Sequence, residues 1–344
     1  MLIKAQTQTS SLPRHRIWGI VLSSAFVLLA IITLLQSKIS TFTTASDLRP
    51  TIAELGLVPF PISVDPETKT IFDDPSVTSY MNESVASNHT KPIREQGWFA
   101  LLSSKLVGLD WYQNLASPIS RILVIESGER GEEVADNFAG ILKWTTEEKK
   151  MFLTFMQTEA PLLPDGKFYP GKYVFEKDAA PDVVGLAIAD RFNAEIRTRY
   201  TNSIEEKVPL QDALIIASLL EREAYDFEDM RYISGVIWNR LFIDMKLQLD
   251  ATLQYVRGSK PNEPWWPVPV PADKYLKSPY NTYQISGLPP GPIANPSIDA
   301  IVAALNPRKT ECLFYFHTND GSFVCSITYE EHVTKLKKEF GQGR

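Results

Sequence analysis

The stretch from Pro209 to Tyr225, PLQDALIIASLLEREAY, leaves few choices for how the chain can fold around it. Ala213 to Leu220 carries no charge, yet the run is too short to cross a bilayer. Its Ala and Leu content favours a helix buried on most sides, with Pro209 suited to the first turn. Glu221, Arg222 and Glu223 then arrive together. A helix this dry ends in two carboxylates only where they meet solvent, a partner or a substrate. The following segments also suggest a site: Asn239-Arg240-Leu241, Gln248 to Thr252 (QLDAT) and Ser278 to Tyr283 (SPYNTY).

A second apolar run, Ile17–Leu35, has Arg14, His15 and Arg16 before it and Lys38 after. Its 19 uncharged residues reach roughly 28 Å as a helix, enough for a hydrocarbon core. The run exceeds the usual signal-peptide core of about 7–15 residues, so an uncleaved anchor is preferred to a cleaved signal. The basic flank predicts a cytoplasmic N-terminus, with everything after Lys38 outside the cytoplasm. Net charge is −6, so the composition gives no reason to expect nucleic acid.

The two cysteines, Cys312 and Cys325, flank an Asn-Asp-Gly turn at 319–321. A straight hairpin centred there puts Cys312 opposite about residue 328 and Cys325 opposite 315 or 316. The sulfurs would then lie roughly 10–13 Å apart along the ladder, beyond disulfide reach. Two free, half-buried thiols are therefore expected. No metal-ligand spacing exists, so neither a metal nor a cofactor is expected.

Taken in order, the chain reads as α+β. Residues 1–16 form a cytoplasmic tail, 17–36 a single transmembrane helix, and 37–118 a polar, Pro-dotted extracytoplasmic spacer, partly disordered and ending in a helix and loop from Trp98. A small α+β module spans 119–200: a strand at Arg121–Ile125, helices from Glu132 and Thr145, aromatic strand pieces around 166–171, and a helix from Pro181. Residues 201–344 hold the dry helix, a second helix from Phe227 to Ile243, irregular Pro-rich loops, a helix at 298–305, the cysteine hairpin and a charged C-terminal helix. The Pro/Gly-rich loop from Ser278 to Pro296 is too long to be idle inside a compact domain.

The segments ASLLERE (217–223), NRL (239–241), MKLQLDAT (245–252), SPYNTY (278–283), GLPPGPIANP (287–296), DGS (320–322) and TYEEH (328–332) resemble, in order, the MltG/YceG-like endolytic murein transglycosylases. The resemblance implies a membrane-anchored lytic transglycosylase, with a LysM-like module at 119–200 and a lysozyme-like catalytic domain at 201–344. It implies cleavage of the β-1,4 bond between N-acetylmuramic acid and N-acetylglucosamine in nascent peptidoglycan, with 1,6-anhydro ends that terminate strand elongation. The expected partners are glycan strands, peptidoglycan synthases or divisome proteins, and the inner (cytoplasmic) membrane through the N-terminal helix. The chain departs from the family at Phe323 and Cys325, where relatives carry His and Phe in G-S-H-x-F, and at Ala251, where they carry Pro.

Such an enzyme needs one carboxylic acid, because the sugar's own 6-hydroxyl is the nucleophile. On a helix Glu221 and Glu223 point about 200° apart. Glu223 continues the stripe of Ile216 and Leu219, and Glu221 that of Leu210, Leu214 and Ala217, so periodicity does not choose. Resemblance does: goose-type lysozymes and soluble transglycosylases end an apolar helix in E-S, the family motif reads E-K-E-T, and Glu223-Ala224 holds that second position. Glu223 is thus the expected acid/base and Glu221 its support. Arg240, Gln248, Asp250, Asn281 and Tyr283 are the expected substrate-binding residues. Leu288–Gly291 is expected as a rigid cleft wall, and Trp265 and Trp266 as loop packing. A catalytically silent glycan-binding or divisome scaffold is the alternative.

Overall fold

The computed structural model describes residues 58–81 apart from 73 and 76, 119–159 and 165–341. The candidate anchor Ile17–Leu35 and the helix and loop expected from Trp98 to position 118 lie outside the described residues. Among the described residues no helix is long and apolar enough to cross a membrane.

The first described element is a short antiparallel hairpin, β1 (Val64–Asp65) and β2 (Thr70–Ile71). Its surroundings correct the expectation of a spacer. Phe60, Val64, Ile71, Val77, Tyr80 and Met81 are all buried in the larger of two hydrophobic cores. Pro59 and Pro61 erase any periodic signal but hold the chain extended. Backbone bonds then fasten it: Phe60 N–H donates to Arg199 O (3.1 Å) and Ser63 N–H to Leu305 O (3.0 Å).

The smaller core is built mostly from residues near one another in sequence. Strand β3 (Ser120–Ile125) leads into α1 (Gly131–Leu142) and α2 (Thr146–Glu159), and the chain returns as β4 (Gly171–Glu176) and α3 (Pro181–Phe192). β3 and β4 pair antiparallel with Leu123 opposite Tyr173. Leu123, Val134, Phe138, Phe152, Val184 and Ile188 fill the space between sheet and helices without solvent exposure. The aromatic strand pieces expected around 166–171 do not form before Gly171, where β4 begins, because the amides of Gly166 and Phe168 donate to Asn295 instead. After Phe192 the helical path continues through a π-helical turn, Asn193–Arg197, and then α4 (Asn202–Glu205). Ile188 belongs to the smaller core, whereas Phe192, Ile196 and Tyr200 belong to the larger.

The larger core surrounds α5 (Leu210–Glu223). Ala213, Leu214, Ile216, Ala217, Leu219 and Leu220 have no exposed surface, and each buried Leu or Ile contributes about 1.5–3 kcal/mol. Around it pack α6 (Phe227–Phe242), α7 (Asp250–Gly258) and α8 (Ile298–Leu305). In α8 the small residues Ala300, Ala303 and Ala304 are fully buried. Gly235 on α6 admits the following loop: a Cβ there would lie 2.3 Å from Arg308 O. Both cores lie in one compact unit beginning at Val58.

Last come β5 (Phe314–His317), β6 (Phe323–Ser326) and α9 (Tyr329–Phe340). The register sets Tyr315 opposite Cys325 and His317 opposite Phe323. Here the expectation of free thiols fails, since Cys312 and Cys325 form a disulfide with Cα atoms 5.8 Å apart. The register at Cys325 is as expected, but the ladder does not run straight back to Cys312. Leu313 N–H donates to Ser326 O (2.9 Å), one residue out of register, and the chain bends across β6 there.

Candidate active site

Helix α5 stops where Ala224 adopts extended backbone angles, leaving Glu223 on its last turn. The Glu223 carboxyl is half-buried and meets two donors from distant elements. Ala251 N–H, on the first turn of α7, donates to Oε1 (3.1 Å), and Tyr315 O–H, on β5, donates to Oε2 (3.0 Å). Loss of water raises its pKa above the usual carboxylate range, and the Asp250 charge adds to this. The two hydrogen bonds and His317 pull it back only in part. The negative end of the α5 dipole also disfavours the ionised form. One carboxyl is thereby held in a fixed orientation and biased toward its acid form.

Glu221 has a different task. Its Oε2 accepts both the backbone N–H (2.9 Å) and the hydroxyl (2.6 Å) of Ser297. Ser297 in turn caps α8 by accepting from Ala300 N–H (3.2 Å). Glu221 therefore fastens the end of the Pro-rich loop to the end of α5. Glu221→Gln keeps an acceptor but removes the charge, so a loss of about 1 kcal/mol is expected in thermal denaturation. Turnover should stay within about tenfold of the parent, because the group that faces Ala251 and Tyr315 is untouched.

The substrate-binding candidates divide by burial. Asp250 is exposed, and its Oδ1 accepts from Tyr283 O–H (2.7 Å). Gln248 is exposed, with a left-handed backbone (φ 51°) whose N–H donates to Thr282 O (3.1 Å). These three side chains stand at the solvent side of the site. Asn281 does not: it is fully buried, and its Nδ2 donates to Leu276 O (2.7 Å) and Lys274 O (3.2 Å). Arg240 is also buried, neither paired with Asp250 nor facing solvent. It donates to Leu313 O (2.6 Å) and to the carbonyls of Leu247 and Lys246. Both residues shape the loops that present the site.

The Pro-rich loop takes a course that its composition does not announce. Gln211 Nε2 donates to Pro290 O (3.3 Å), Ile293 N–H to Ser218 Oγ (3.0 Å), and Ser297 reaches Glu221. The segment is a strap running along α5 from its start to its end. Leu288–Gly291, expected as a rigid cleft wall, lies at the end of the helix opposite Glu223, with Pro290 O at Gln211. Pro locks such an extended path, which advances about twice as far per residue as a helix.

Asn295, within this strap, joins the two cores. Its Oδ1 accepts from Gly166 N–H (2.8 Å) and Phe168 N–H (3.1 Å), and its Nδ2 donates to Glu129 O (2.9 Å). Gly166 takes a left-handed backbone here (φ +88°), and a Cβ would lie 2.8 Å from Pro292. Beside this seam burial raises the Glu129 carboxyl to about 7, with Glu133 and Glu126 adding to the effect. Arg222 lies 3.9 Å over the Trp266 ring, and Arg130 approaches both Trp265 and Trp266, so these tryptophans pack the same seam.

Phe323, where relatives carry His, stacks between Tyr232 (5.3 Å) and Tyr315 (5.6 Å). His317, across the ladder, bonds both Asp229 carboxylate oxygens (3.0 and 2.9 Å). Sequence reasoning missed Tyr315, Ser297 and Asn295 as named participants. Tyr315 gives no local sign, because its partner is 92 residues away.

Residues 67–338 match the model of the YceG-like family. A protein of Bacillus subtilis (strain 168) named endolytic murein transglycosylase is 33% identical over 177 residues, covering 51% of this chain and 48% of that one. A protein of the same name from Streptococcus pneumoniae (strain D39) is 28% identical over 169 residues, covering 49% and 31%. The chain thus spans less than half the length of these relatives. The crystal structure of a yceG-like protein from Listeria monocytogenes superposes with a TM-score of 0.54 at 29% identity, covering 63% of this chain and 76% of that one.

Proposed function

The chain belongs to the YceG-like family, and from that premise we propose that it is an endolytic lytic transglycosylase of peptidoglycan. The observation that carries the reading is the Glu223 carboxyl, raised in pKa at the end of a buried helix and oriented by Ala251 and Tyr315. The names of the relatives support the same activity.

Protonated Glu223 gives its proton to the oxygen linking N-acetylmuramic acid to N-acetylglucosamine. The C1–O bond breaks, and the leaving sugar keeps that oxygen as a hydroxyl. Glu223, now a carboxylate, takes the proton from the 6-hydroxyl of the muramic acid as its oxygen attacks C1. The products are a strand with a free sugar hydroxyl and one ending in 1,6-anhydro-N-acetylmuramic acid. The acid is regenerated, so one carboxyl serves both steps. Retaining or inverting hydrolysis canonically uses two carboxyls across the bond; in this reading Asp250, which accepts from Tyr283 O–H, serves substrate binding instead. Gln248 and Asp250, exposed, and the half-buried Tyr283 offer the polar groups for sugar hydroxyls and N-acetyl groups, and Arg240 and Asn281 hold the loops that carry them.

Mass spectrometry of glycan strands treated with the detergent-solubilised full chain tests this reading. Internal cleavage with anhydro ends is expected; intact strands, or reducing ends alone, would replace it with a silent scaffold or a hydrolase. The remaining parts of the proposal are an anchor at Ile17–Leu35, nascent strands at the membrane as substrate, and a LysM-like glycan-holding role for 119–200. The anchor is checked by protease accessibility of tagged termini in spheroplasts, where a released form lacking the first 45 or so residues would exclude it.

A further inference from the structure

The disulfide lies in a closed line of contacts that leads to the catalytic carboxyl. On α6, Asn239 Nδ2 donates to Thr310 O (2.7 Å) and Cys312 O (3.1 Å), and Arg240 Nε donates to Leu313 O (2.6 Å). These bonds fix residues 310–313 to the larger core. The Cys312–Cys325 bond then ties that fixed segment to β6. Cys325 stands directly opposite Tyr315 in the ladder, and Tyr315 O–H donates to Glu223 Oε2 (3.0 Å). The hairpin has only four residues in each strand, and short two-stranded ribbons are marginal without outside support.

We propose that Tyr315 is a positioning residue for Glu223 and that the Cys312–Cys325 disulfide holds it in place, so that activity depends on the oxidised state of this bond. The catalytic part of the proposal rests on Glu223 being the acid; the structural part does not. Reduction by dithiothreitol adds two electrons and two protons to the bond, giving two thiols while the reagent closes to its cyclic disulfide. Strand β6 then loses its covalent tie to the segment held by α6, while β5 stays joined to Leu313 through the chain and to Asp229 through His317. Phe323 on β6, which stacks on Tyr315 (5.6 Å), is loosened with it, and the Tyr315 hydroxyl is no longer clamped against Oε2. That hydroxyl favours the ionised carboxylate, so its departure moves the Glu223 titration to higher pH. The other groups facing Glu223 are Asp250, which raises its pKa, and His317, which lowers it; Arg240 and Tyr283 also sense its charge.

The test is carboxyl-carbon NMR titration of the full chain labelled at glutamate, with the Glu223 signal identified by its absence in Glu223→Gln. Oxidised parent, parent in dithiothreitol, Cys312→Ser/Cys325→Ser and Tyr315→Phe are compared. The last three are expected to share a Glu223 midpoint above that of the oxidised parent, and the serine pair should not respond to dithiothreitol. In turnover they should lose about tenfold in kcat with KM within about twofold, as a misplaced acid would, and the alkaline limb should move up with the titration. Tyr315→Phe keeps the ring that stacks on Phe323, and circular dichroism checks its fold. Should it fail to fold, the reduced parent still reads the same shift with Tyr315 present. An unchanged midpoint after reduction and in the serine pair overturns the proposal, as does Tyr315→Phe titrating like the oxidised parent. Because the titration needs no turnover, loss of the transglycosylase reading alone would appear as a shifted midpoint in a chain that makes no anhydro ends.

Discussion

Glu223→Gln is expected to abolish anhydro-end formation, lowering kcat by about 10²–10⁴-fold or more. Its fold should survive, because the amide is nearly isosteric and can still be satisfied. The amide oxygen accepts from Ala251 N–H, and its NH₂ can donate to the Tyr315 hydroxyl oxygen. Linkage gives a further sign. The folded pKa of Glu223 lies above its ordinary value of 4.5, so the native state binds this proton more tightly than the unfolded chain. That contribution is present at low pH and is lost as pH rises from about 4.5 through the folded value. The variant lacks this loss, so its melting temperature relative to the parent should rise across the same window. Turnover and melting curves of both proteins, measured from pH 4 to 8, check the two expectations together. Near-parental turnover in Glu223→Gln, with Glu221→Gln inactive, would move the acid to Glu221.

The largest effect on stability is expected at Asn295. Truncation to Ala leaves the buried N–H groups of Gly166 and Phe168 without their acceptor, and Glu129 O with only the Asn295 backbone as partner (2.8 Å). Asn295 has no exposed surface, so water cannot substitute without rearrangement. Each unmet buried group costs about 1–3 kcal/mol, giving an expected loss of about 3–5 kcal/mol for Asn295→Ala. Urea denaturation should show a lower midpoint with an unchanged slope if the loss acts on the native state alone. Asn137→Ala is the control, since that side chain makes an exposed bond to Glu129 Oε1 (3.0 Å); its effect should stay within about 0.5 kcal/mol. A loss no larger at Asn295 than at Asn137 would mean that the two cores do not depend on this seam.

What was legible in the sequence is what neighbouring residues decide. Helix α5 was readable from its uncharged Ala/Leu run, and the chain from 278 to 296 was readable as irregular from its Pro and Gly. The order of the family motifs made the family legible before any coordinate. The rest depended on long-range contacts. Asn281 and Arg240 look like substrate ligands because their polarity is visible and their backbone partners are not. The Pro-dotted residues 58–81 lack periodicity, so nothing local showed that Phe60 and Val64 would enter the larger core. The cysteine pairing failed on a geometric assumption, that the ladder continues straight past Phe314. The course of the strap along α5 was equally hidden, because it is set by Gln211, Ser218 and Glu221 accepting or donating to a segment 75–79 residues away.

The path through α3 and its π-helical turn bears on how a polymer reaches the site. Large swings between parts of a protein are absorbed by a few loop residues whose backbone angles change freely. Here the chain passes from one core to the other inside a hydrogen-bonded rod, with Ile188 anchored on one side and Ile196 on the other. Such a rod transmits torque rather than yielding to it. The two cores are thus coupled through helix rather than through a loop hinge, so under the proposed function a glycan strand would meet the Glu223 site without a loop-hinged closure of one core on the other. Under that reading, access to Glu223 is set by side chains and short loops at the solvent side of the site, such as Tyr283 and the neighbourhood of Gln248.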